Sequence, residues 1–123
     1  MEHNTETEMM VFHQICEINE LDPQTIIQEA HQNCPDRFSN GNDVDALIRT
    51  AYEHRANDLL KGANVDLTKQ SNANAGGKPY RIDADPAGPA FTVNEEYIRR
   101  AYSKEAAASI IEALGHVKMP VTG

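Results

Sequence analysis

The sequence predicts a mainly α-helical fold: four to five short helices in a small single domain, with a long irregular segment over residues 62–93 that could hold a minimal β-hairpin. Three observations lead there. Apolar residues recur at helical spacing through both ends of the chain. Every run after the first opens on a side chain suited to capping, and the middle is rich in Asn, Gly and Pro. The 123 residues fit one hydrophobic core. With no Trp, three Phe and four Tyr, that core must be largely aliphatic.

Residues 1–9, with Glu2, Glu6 and Glu8, read as a flexible acidic tail ahead of a helical domain over 10–115. From Met10, Val11, Ile15 and Ile18 form a stripe flanked by Phe12 and Cys16, and this first helix should end near Glu20. Asp22 followed by Pro23 is a helix start, Asp as N-cap and Pro at the first helical position. Ile26, Ile27, Ala30 and Cys34 line the second helix until Pro35 stops it. Asn42 or Asp43 caps the third, whose stripe is the longest: Val44, Leu47, Ile48, Ala51, Tyr52, Arg55 and Leu59. Gly62 is placed to end it as a left-handed cap.

Within 62–93, Tyr80-Arg81-Ile82 and Phe91-Thr92-Val93 suit two short strands joined by a turn at Asp85-Pro86-Ala87-Gly88. Thr92 or Asn94 should cap a fourth helix, and Thr92 to Glu95 matches a capping box. Its inner face is Tyr97, Ile98 and Ala101. Ser103 caps a last helix with Ala107, Ile110, Ile111 and Leu114 inward, closed by Gly115. Residues 116–123 read as an extended C-terminal tail.

The net charge of −8 resides in one half. Residues 1–61 hold twelve acids and four bases, whereas 62–123 hold seven of each. An acidic half argues against direct nucleic-acid binding, which rests on phosphate neutralisation. No apolar run approaches the roughly 20 residues that span a bilayer. The start lacks the basic and apolar stretches of a secretory signal. The expected compartment is cytoplasmic, with both cysteines reduced.

Three functional readings follow. The first is a small acidic, non-enzymatic protein-binding module: an accessory or assembly component, or an inhibitor of a larger protein, of the kind found in phages and mobile elements. Its partner would present a basic surface to Glu17, Glu20, Asp22 and Glu29. The second uses a doublet, His13-Gln14-Ile15-Cys16 and His31-Gln32-Asn33-Cys34. Its two imidazoles and two thiols suit tetrahedral zinc or a redox pair in a regulatory protein. The spacing matches no finger or ribbon pattern. The third is a ligand-binding protein or small enzyme with a pocket at the 76–91 loop, lined by Tyr80, Arg81, Phe91 and Arg99. No Walker loop, nucleophile elbow or His-Glu-x-x-His supports an enzyme, and no catalytic residue is assigned.

Overall fold

The computed structural model describes residues 5–33, 35–38 and 43–120. In chain order the elements are α1 (Thr5–Ile18), α2 (Pro23–Asn33), a 3-10 turn (Pro35–Phe38), α3 (Val44–Gly62), β1 (Tyr80–Asp83), β2 (Ala90–Val93), α4 (Glu95–Ala101) and α5 (Lys104–Leu114). The protein is thus a small, mainly helical single domain with a two-stranded antiparallel hairpin, as the sequence predicts.

The helix boundaries are set by local chemistry. The Asp22 carboxylate accepts from the Gln24 N–H (3.2 Å) and the Thr25 hydroxyl (3.1 Å) and so starts α2. Asp43 accepts from Ala46 N–H, Asn94 from Tyr97 N–H, and Ser103 from Ala106 N–H, each at the head of its helix. The expected capping box does not form, because Thr92 is drawn into β2 and leaves capping to Asn94 alone.

α1 begins at Thr5, so residues 5–9 are helical where a tail was expected. Acidic residues in a first turn favour the helix dipole, so a polar start is no bar to helix. α1 ends in a Schellman arrangement: Leu21 N–H donates to Cys16 C=O (2.7 Å) and Glu20 N–H to Glu17 C=O (3.2 Å). Glu20 takes the left-handed position, φ 58°, that glycine usually fills. α3 ends in the same way, with Val65 N–H on Leu60 C=O (2.9 Å) and Asn64 at φ 58°.

The left-handed residue after α3 is therefore Asn64 and not Gly62. Gly62 stays helical, and a Cβ built on it meets nothing within 4 Å. Gly62→Ala should then raise stability by about 0.5–1 kcal/mol, the usual helical penalty of glycine. A urea titration checks this, and any loss of stability would contradict it.

α3 is the central element. Leu47, Ile48, Ala51, Tyr52 and Ala56 are fully buried, and α1, α2, α5 and β1 all pack on it. The α1 face that packs inward is Phe12, Ile15 and Cys16, while Val11 and Ile18 are half-buried. The buried stripe is rotated toward the residues expected to flank it. The hairpin pairs Tyr80 with Val93 through to Asp83 with Ala90. Its turn closes with Gly88 N–H on Asp85 C=O (3.0 Å) and Ala87 N–H on the Asp85 carboxylate (2.9 Å).

The stretch 63–79 has neither helix nor strand, and α4 with the residue after it holds it in place. The Tyr102 hydroxyl donates to Leu67 C=O (2.6 Å), and Gln70 Nε2 donates to the Tyr97 hydroxyl (2.6 Å). Ser71 and Asn72 N–H both donate to Ala101 C=O, at 2.7 and 3.1 Å. Gly77, at φ 127°, lies against the Tyr97 ring with a would-be Cβ 3.5 Å away.

The segment after α5 packs back on the domain. Val117 is buried, and Lys118 is clasped by Asn19. Among the described residues no helix is long and apolar enough to cross a membrane.

Candidate functional site

Three of the four acidic residues expected to meet a partner, Glu17, Glu20 and Asp22, lie about the α1–α2 junction. α1 carries exposed Glu17, and the left-handed turn after it presents Glu20, whose side chain is 84% exposed. Asp22, exposed, spends its carboxylate partly on capping α2. Glu29 sits two turns into α2, half-buried, where α2 meets α3.

The middle of α3 meets two of these carboxylates, Glu20 and Glu29. Glu29 Oε2 lies 2.9 Å from His54 Nδ1, and Asp58 Oδ2 lies 3.3 Å from His54 Nε2. Glu20 Oε2 lies 4.0 Å from the Arg55 guanidinium. The packing of α1 and α2 on α3 thus brings Glu20, Glu29 and Asp58 together about His54 and Arg55, while Glu17 and Asp22 are exposed on either side of Glu20 in the chain. Exposed pairs of this kind contribute roughly 0–1 kcal/mol each, so the cluster is costly in charge and modest in stability. Arg55 Nε is buried with no hydrogen-bond partner among the described residues. Asp58 was not singled out from sequence; its position one turn after His54 was the available signal.

The His-Gln-x-Cys doublet is divided by burial. Cys16 is fully buried, whereas His13 is exposed with its ring edge-on to Phe12 at 5.5 Å. Three residues on a helix differ by roughly 60° around its axis, and here the boundary between core and solvent runs through that angle. Burial first, and the Asp22 charge second, push the Cys16 thiol up to about 12. A zinc ligand needs the thiolate. His31 is exposed in the last turn of α2, and Cys34 lies outside the described residues. Among the described residues no group of three or more His, Cys, Asp or Glu is placed to hold a metal ion.

The expected pocket residues part company. Tyr80 and Arg81 line a groove of about 420 Å³ between α3 and β1. Phe91 is buried in the core, its ring 4.9 Å from that of Tyr80 and 5.9 Å from that of Tyr52. Arg99 is exposed on α4 and is not in the groove lining. The groove is completed by Arg49 and Glu53 of α3 and by Lys78, which sequence reasoning did not connect. Arg49 and Glu53 are one turn apart on the outer face of α3, but nothing local signals that β1 packs beside them.

Compared with protein-family models, curated proteins and solved structures, the chain matches none of them.

Proposed function

We propose that the protein is a small, acidic, non-enzymatic protein-binding module whose partner presents a basic surface to the α1–α2 junction. The observation that carries this reading is the convergence of Glu20, Glu29 and Asp58 around His54 and Arg55, with exposed Glu17 and Asp22 flanking Glu20 in the chain. Acids from three helices are brought together there with one arginine and one histidine between them. Such a field repels nucleic acid and steers a positively charged partner into register. The setting is cytoplasmic, with Cys16 kept as a buried thiol.

Amide hydrogen exchange of the full chain, alone and in complex with a partner captured from native lysate, tests the reading. Added protection should concentrate on residues 16–30 and 54–58. Protection confined to 63–83 would place the interface elsewhere and overturn it.

A further inference from the structure

β1 has one paired edge and one open edge. Asn94 N–H donates to Pro79 C=O (2.9 Å), which fixes the ladder beside it. Hydrogen-bonded and non-hydrogen-bonded pairs alternate in an antiparallel ladder. Arg81 and Asp83 therefore exchange bonds with Thr92 and Ala90, while Tyr80 and Ile82 turn their N–H and C=O groups away from β2.

Of the groups that β2 turns outward, Phe91 N–H is closed, meeting Met119 Sδ at 3.2 Å. Among the described residues no hydrogen bond closes the outward groups of Tyr80 and Ile82. They border the groove between β1 and α3.

That groove is basic in a chain of net charge −8. Arg49, Lys78 and Arg81 line it against the single carboxylate of Glu53. None of the three cations takes part in an ion pair among the described residues. Cations on a strand edge guard against pairing with another copy. Two such edges would bring the Lys78 and Arg81 cations of both copies together, and like charges across a strand pair destabilise it. The same charges attract a strand bearing carboxylates.

We propose that the open edge of β1 accepts an extended acidic segment of a partner protein as a third strand. The backbone of Tyr80 and Ile82 makes the ladder bonds, and Arg49, Lys78 and Arg81 receive the carboxylates. This surface is separate from the acidic face of α1 and α2 and takes a segment of opposite charge, so either can fail without the other.

The test uses the full 15N-labelled chain and a blocked synthetic peptide, Glu-Val-Glu-Val-Glu. The acidic peptide should shift the amide signals of Tyr80 to Asp83 and slow exchange of the Ile82 N–H. The double variant Lys78→Gln with Arg81→Gln should bind about tenfold more weakly or worse, because close charge pairs are lost. Arg99→Gln should bind as the wild type does, and unchanged melting curves would show all variants folded. The same peptide N-methylated along one edge keeps its charges but cannot extend the ladder, and it should fail to protect Ile82. The proposal is overturned if the N-methylated peptide or glutarate acts as strongly as the parent, which would make the groove a simple anion site. Equal binding of a lysine peptide, or no response at Tyr80 to Asp83, would overturn it as well.

Discussion

Truncating Leu47 or Ile48 to alanine should lower the stability of the fold by about 2–5 kcal/mol, the range for large-to-small changes in a sealed core. Both side chains are fully buried on α3, the helix on which α1, α2, α5 and β1 all pack. A cavity there cannot be closed by one neighbour moving in, since each neighbour is braced by others. A small domain has roughly 5–15 kcal/mol to lose, so either variant should unfold at a markedly lower urea concentration. Circular dichroism in a urea series gives the value. A loss below about 0.5 kcal/mol for both, typical of surface positions, would show that α3 is not the organising element.

Asn19→Ala should be nearly as damaging, by about 2–4 kcal/mol, although it removes a polar side chain. Asn19 is only 1% exposed. Its Nδ2 donates to Ile15 C=O and to Lys118 C=O, both at 2.9 Å, and its Oδ1 accepts from Lys118 N–H at 2.8 Å. The side chain thereby copies a strand neighbour for Lys118, 99 residues away in sequence. Alanine leaves the Lys118 N–H and C=O, which are partly covered, without partners, and buried unpaired groups cost more than the net worth of the bonds. Residues 116–119 should then detach, with Val117 leaving the core and Met119 leaving Phe91 N–H. Faster exchange at Lys118 and Phe91 together with the stability loss would distinguish this from a general loosening. Asn19→Asp retains the acceptor but sets a carboxylate oxygen against the Ile15 and Lys118 carbonyls in a buried site, and should be at least as damaging as alanine. A variant as stable as the wild type would show that the C-terminal segment contributes nothing to the fold.

The sequence made legible what depends on neighbours in the chain. Asp22, Asp43, Asn94 and Ser103 cap helices through their own side chains, so their role shows in a few letters. The hairpin turn is similarly local, because Asp85 bonds within its own turn. What depends on distant partners was hidden. Asn19 reads as an ordinary polar residue at a helix end, and only the return of Lys118 makes it a buried clasp. Cys16 and His13 share a spacing that suggests a common face, yet the position of the core sends one inward and leaves the other in water. Tyr52 sits on the expected stripe, but its buried hydroxyl, pushed up to about 12 by burial, has no partner among the described residues. The acidic face was half legible. Glu17, Glu20, Asp22 and Glu29 stand close in sequence, whereas His54 meets Glu29 and Arg55 meets Glu20 only because α2 and α1 pack on α3. The groove residues Arg49, Glu53 and Lys78 were not legible, since they meet only through the packing of β1 beside α3.

The claim that the acidic face is the binding surface is tested most directly by partner affinity at low and high salt, for the wild type and for Glu17→Lys with Glu20→Lys. Both side chains are exposed, so the double variant should stay folded. Surface charges are screened beyond roughly 8–10 Å at ordinary salt, and the wild type should therefore bind more weakly as salt rises. The variant should bind at least about tenfold more weakly at low salt, as expected when complementary charge is reversed, and should lose most of its salt dependence. Equal affinities in all four measurements would contradict the account and remove the α1–α2 junction as the interface.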